Sequence, residues 1–173
     1  IQLKGSWGLM GVYGDETQKK RIFEDIQAEI QNAPQLAVCL SAYNDERIKW
    51  NLLQAHGDKI TTATQLGNCL RTISDGGKKW ELLQAHENTI ENHNDLAHCL
   101  KAFTDGDMAE KLLQRHLGLI KTYENLMWCI MKFDDGRKMA WIKDYYHLIK
   151  DPLHLIDSIC SIRDEGMRRE LAI

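Results

Sequence analysis

At 173 residues, 43% hydrophobic and 27% charged, the chain has the composition of an ordinary folded protein and enough length for a sizeable core. A net charge of −3 supplies no bulk attraction to nucleic acid or anionic membrane, and no run approaches the roughly 18 apolar residues of a spanning helix. The N-terminus lacks the basic and then apolar pattern of a signal peptide.

From Asp15 onward a step of thirty residues governs the chain. Asp15, Asp45, Asp75, Asp105 and Asp135 keep it, as do Ile30, Ile60, Ile90 and Ile120, Leu36, Leu66, Leu96 and Leu126, and Cys39, Cys69, Cys99 and Cys129. A fixed period of this size marks an array in which each unit buries its apolar face against its neighbours. Within a unit, Asp45 is an N-cap and Glu46 suits a first helical turn, while Ile48, Leu52, Ala55 and Ile60 form a helical stripe. A second helix follows, with Leu66, Cys69, Leu70 and Ile73 at i, i+3, i+4 and i+7. Asp151-Pro152 marks the start of one such second helix independently, and Asp75-Gly76, Asp105-Gly106 and Asp135-Gly136 read as turns between units.

The expected fold is all-α: a right-handed α-solenoid of about five 30-residue helix-turn-helix repeats. The repeats span 15–44, 45–74, 75–104, 105–134 and 135–164, with partial repeats at 1–14 and 165–173. Leu9, Met10 and Tyr13 stand thirty residues before Cys39, Leu40 and Tyr43, so both ends read as cuts through an array. That implies a larger parent, and the open faces at the cuts would allow end-to-end self-association. In the fifth unit the register gives Ile156, Ile159 and Cys160 as core, with Ile159 in the cysteine position and Tyr146 in the position of His56, His86 and His116. Lys143 and Lys150 then replace the usual Leu and Ile, as if the apolar stripe had rotated by about one residue.

Five cysteines and seven histidines raise the question of metal or redox chemistry. Equivalent positions on stacked helices lie about 8–10 Å apart, too far for a disulfide or a shared zinc ion. Cysteine is a common buried apolar residue, so the ladder reads as packing, and reduced thiols imply a cytosolic setting. The histidine position also holds Ile26, which reads as packing, and the five-residue spacing of His93 and His98 puts them on different helix faces. Gln54, Gln84 and Gln114 suit either inter-unit hydrogen bonds or a solvated edge. No P-loop, nucleophile elbow, zinc motif or dinucleotide fingerprint is present, so neither a catalytic role nor a cofactor is expected.

In arrays the framework repeats and the binding surface varies. The outward positions of the second helices read Pro34, Val38, Ser41; Thr64, Asn68, Arg71; Asn94, His98, Lys101; Glu124, Trp128, Met131; and His154, Ser158, Ser161. An outward Trp128 and Met131 suit recognition, or cover by a further helix or domain. The candidate partner-binding residues are Trp128, Met131, Glu124, Tyr123, His98, Lys101 and Tyr145. The architecture resembles tetratricopeptide, HEAT and armadillo repeats, although the period is about four residues shorter than the first of these and its small-residue pattern is missing. It also departs from the mitochondrial termination-factor repeats, whose proline-marked pattern is absent. The run Trp80-Glu81-Leu82-Leu83-Gln84-Ala85-His86 is similar to helical repeats in secreted effectors of intracellular bacterial pathogens. The resemblance implies a scaffold that binds a protein or peptide, in the cytoplasm or, for an effector, in the host cytosol. Two alternatives are a regulatory or targeting segment of a larger enzyme and a nucleic-acid-binding repeat, the latter disfavoured by the net charge.

Overall fold

The computed structural model describes residues 27–172; Asp15, Leu9 and Ile26, and with them the readings placed on 1–14 and on the start of the first unit, lie outside these. Among the described residues the chain is all-α, with no strands and with helices packed against their neighbours. In chain order the helices are α1 (Ala33–Ala42), α2 (Glu46–His56), α3 (Ala63–Thr72), α4 (Gly76–Ala85), α5 (His93–Leu100), α6 (Gly106–Arg115), α7 (Tyr123–Ile130), α8 (Asp135–Asp144), α9 (Pro152–Ser161) and α10 (Glu165–Leu171). Short 3-10 turns at Gly57–Lys59, Glu87–Thr89, Leu117–Leu119 and Tyr146–Leu148 join α2 to α3, α4 to α5, α6 to α7 and α8 to α9.

Side-chain caps start each helix. Asn32, Thr62, Asn92, Thr122 and Asp151 accept from the first-turn N–H groups of α1, α3, α5, α7 and α9. Asp45, Asp75, Asp105, Asp134 and Asp164 do the same for α2, α4, α6, α8 and α10. Each such cap contributes about 0.5–2 kcal/mol. The cap of α8 is Asp134 and not Asp135, because Phe133 leads directly into the cap where Ile73-Ser74 and Phe103-Thr104 interpose one residue. From there the step from the preceding helix pair is twenty-nine residues: Asp105 to Asp134, and Thr122 to Asp151.

That one-residue shortening changes which residues of the fifth unit are buried from those the thirty-residue step predicts. Ser158, fully buried, occupies the cysteine position, while Cys160 and Ile156 are exposed and Ile159 is half-buried. Tyr145 holds the C-cap position of His86 and His116, and Tyr146 is exposed. Ile142 and Ile149 align with Leu113 and Ile120, so Lys143 and Lys150 are ordinary exposed residues. The rotated stripe is thus a change of spacing and not of pattern.

The core runs along the second helices. Leu36, Leu40, Leu66, Leu70, Leu96, Leu126 and Ile130 are fully buried, as are Leu52, Leu83, Leu112, Leu113 and Ile142 on the first helices. Helices α1, α3, α5 and α7 pack on one another in succession, and each also meets the first helix of the next pair. Close approach is set by small residues: a Cβ on Gly67 would stand 3.0 Å from the backbone oxygen of His98. Cys99 Sγ lies 3.8 Å from Ala63 O, and Cys129 Sγ 3.8 Å from His93 O. All four core thiols are free, and burial raises those of Cys69, Cys99 and Cys129 to about 12.

Buried lysines, unforeseen in the sequence, close the ends of the second helices. Lys49 Nζ donates to Thr72 O at 2.5 Å, Lys79 Nζ to Ala102 O at 2.7 Å and Lys138 Nζ to Ser161 O at 3.1 Å. These carbonyls belong to the last turns, where four C=O groups lack helical partners and a cation meets the negative end of the helix dipole. The pattern is hard to see in sequence because the lysine sits in an apolar stripe and Ala109 interrupts the series.

The histidine ladder packs between pairs. A Cβ on Gly57 would lie 3.5 Å from His86 Nε2, and His116 Nε2 stands 3.0 Å from Glu87 Oε1, at ion-pair distance without hydrogen-bond alignment. Burial holds the His86 imidazole below its ordinary 6.5, with the Ile60 backbone opposing; burial lowers His56 as well, assisted by Lys59. On acidification the unfolded chain takes up these protons first, so their contribution is complete above 6.5 and is lost as pH falls below it. Unfolding free energies between about pH 7 and 5 should therefore decline, and His86→Gln should flatten that decline. An unchanged slope in the variant would remove His86 from the account.

Candidate interaction surface

The exposed large apolar side chains among the described residues are Val38, Trp128, Met131, Tyr146, Leu153 and Ile156. All except Tyr146 sit on second helices, and four of them on α7 and α9. Trp128 is 48% and Met131 51% exposed, one turn apart on α7 and at its C-cap. The Lys101 ammonium of α5's C-cap lies 5.3 Å from the Trp128 ring centroid, a cation–π distance that fixes the indole against the preceding helix. By register His98 stands at the position of Trp128 on α5, half-buried, and Glu124 lies one turn before Trp128 on α7, exposed.

Tyr123 is placed differently. It is 4% exposed, stacks on His154 with ring centroids 4.3 Å apart, and its hydroxyl is 3.1 Å from Ser158 Oγ. Ser158 also donates to His154 O at 2.8 Å. Tyr123 thus belongs to the α7–α9 interface and not to the free surface. Ala63 and His93 precede it at the same register, so its ring is a larger wedge between second helices than α3 and α5 meet. Glu124 reaches across that contact, with Oε1 3.1 Å from His154 Nε2. The Thr122 hydroxyl, with a smaller share from His154, holds the Glu124 carboxyl below its ordinary range. Tyr145 is half-buried against Trp141, 5.5 Å away and near-parallel, on the first-helix side of the molecule.

The one-residue shortening also replaces the outward trio expected at His154, Ser158 and Ser161. By register with Glu124, Trp128 and Met131 it is Leu153, Asp157 and Cys160, all exposed. Ile156 aligns with Ala37, Gly67, Ala97 and Met127, the side that in α3 receives the following second helix. The surface on α7 and α9 is therefore more apolar than a strict thirty-residue step implies. Its signal in the sequence was the aspartate pair Asp134-Asp135, only the first of which caps a helix.

The first-helix side carries bridges between pairs. Lys78 lies over Trp50 at 5.9 Å and Lys111 over Trp80 at 4.4 Å, while Arg137 pairs with Asp107 and stands 3.4 Å from Glu110. Arg115 pairs with Glu87, and Lys143 with Glu170. Gln54, Gln84 and Gln114 are exposed, as on a solvated edge. Here, as at Trp128, the aromatic faces lie under cations, whereas Met131, Leu153 and Ile156 are exposed apolar side chains. Among the described residues no group of three His, Cys, Asp or Glu is placed to hold a metal ion, and no helix is long and apolar enough to cross a membrane. No family model matches the chain, and no curated protein or solved structure matches it either.

Proposed function

We propose that the chain is a right-handed α-solenoid of helix pairs, similar to TPR and HEAT repeats, that serves as a non-catalytic scaffold for a protein or peptide partner. The recurrence of caps, cysteines and buried lysines supports the array, and the successive packing of second helices supports its one-dimensional growth. One observation carries the functional reading: the exposed apolar side chains collect on the second helices, with Trp128 and Met131 bordered by Lys101, His98 and Glu124. A large aromatic anchor within a polar border is the composition of an interface hot spot. The unpaired thiols support a reducing, cytosolic setting, including a host cytosol for an effector.

The test is partner affinity after Trp128→Ala with Met131→Ala. Both side chains are half exposed, so folding should survive while binding weakens by about thirtyfold or more, the equivalent of a lost hot spot. Undiminished binding by the folded double variant would remove this surface from the proposal.

A further inference from the structure

The lysine series has one break, and a cavity lies at the break. Lys49, Lys79 and Lys138 are 6–8% exposed and each donates to a carbonyl twenty-three residues later. The corresponding position on α6 is Ala109, and the corresponding carbonyl is Lys132 O, which accepts no hydrogen bond from the described residues. Ala109, Lys132, Phe133, Asp134, Leu100 and Gly106 are among the residues around a cavity of about 240 Å3. One water needs only about 10–15 Å3 of such space, so the cavity has room for an alkyl chain.

What such a site accepts can be read from the pairs in which the lysine is present. In the preceding pair, Lys79 Nζ makes its bond to Ala102 O and lies 6.0 Å from the Phe103 ring centroid. One pair later the residues around the cavity include Lys132, whose carbonyl takes the register of Ala102 O, and the buried Phe133. Asp134, the cap of α8 and a partner of Arg137, is the one carboxylate among the lining residues. Arg137 also lines the cavity, but its guanidinium is engaged by Asp134 at 2.5 Å, by Asp107 and by Glu110. Asp107 and Glu110, which help neutralise that guanidinium, are not themselves among the lining residues. The carbonyl, helix dipole and aromatic face favour a cation on an apolar stem.

We propose that the cavity beside Ala109 binds a primary alkylammonium group, with the side chain of a lysine on a partner protein as its source. It rests on the scaffold reading only for that source, and Met131 immediately precedes Lys132, which places the cavity next to the proposed surface. A free diamine offers the same chemistry, and the test separates the two.

The test uses NMR of the full chain, following the Ala109 methyl and the Phe133 amide during titration with n-butylammonium chloride and, in parallel, n-butanol. A charge-assisted hydrogen bond should give butylammonium a half-saturation about tenfold or more below that of butanol. Ala109→Lys should abolish the response by supplying the ammonium in cis, and Ala109→Leu should abolish it by filling the space; one folded variant suffices. Trp128→Ala with Met131→Ala should leave it intact, so loss of the scaffold surface and loss of this site are distinguishable. A lower half-saturation for Nα-acetyl-lysine N-methylamide than for 1,5-diaminopentane supports the partner lysine; the reverse order overturns that source. Equal responses to butylammonium and butanol, or an undiminished response in both Ala109 variants, would overturn the site itself.

Discussion

Replacing Leu96 by alanine is expected to cost about 2–5 kcal/mol of stability, the range for a large-to-small change in a core that cannot collapse. Leu96 is fully buried on α5, and α5 packs against α3 on one side and α7 on the other. Relaxation toward the cavity from either side would pull a helix away from its own next contact. The loss is therefore felt across two interfaces. The same truncation at Ile156, 52% exposed on α9, should stay within about 0.5 kcal/mol. Urea unfolding of the two variants side by side gives the contrast, and equal midpoints would deny that the second helices carry the core.

A second large effect is expected at Gly67. A Cβ there meets His98 O at 3.0 Å and His98 C at 3.3 Å, and both are backbone atoms that cannot swing aside. Gly67→Val should force α3 and α5 apart and destabilise by about 1–3 kcal/mol, the cost of overpacking. Gly118 is the control, since nothing lies within 4 Å of a Cβ there and no glycine among the described residues has a positive φ. Gly118→Ala should be neutral or stabilising by up to about 1 kcal/mol through the unfolded chain. Thermal melts of both variants decide the matter, with a wild-type Tm for Gly67→Val as the contrary result.

Gly67 also shows why the sequence was readable in outline and misleading in detail. Caps, apolar spacing and the thirty-residue step are local signals, and they locate the helices from Asn32 to Thr122. The shortening at Phe133-Asp134 was masked because Asp135 sits where the period demands an aspartate, although Asp134 is the cap. A strict thirty-residue step sets every later position one residue late, with Ser158 outside and Ile156 inside, the reverse of the structure. Tyr123 reads as a surface residue from its nearness to Trp128 in the chain; its burial depends on His154 and Ser158, which the twenty-nine-residue register brings opposite. The lysines of the cavity series were invisible for a related reason, since the acceptor of each is a backbone carbonyl twenty-three residues away.

The surface that emerges joins Trp128 and Met131 on α7 to Leu153 and Ile156 on α9, with the cavity beside Ala109 next to Met131 in the chain. On the first-helix side Trp50 and Trp80 lie under Lys78 and Lys111, as Trp128 lies under Lys101, but the glutamines are solvated and Tyr146 is the one large apolar side chain exposed outside the second helices among the described residues. A scaffold that binds through one side should therefore label its partner from one side. Placing a photoreactive phenylalanine at position 128, and in a second sample at position 84 in place of Gln84, tests this most directly. The account predicts a protein adduct from position 128 that is lost on competition with unlabelled chain, and none from position 84. Equal labelling from both positions, or labelling from position 84 alone, would contradict it.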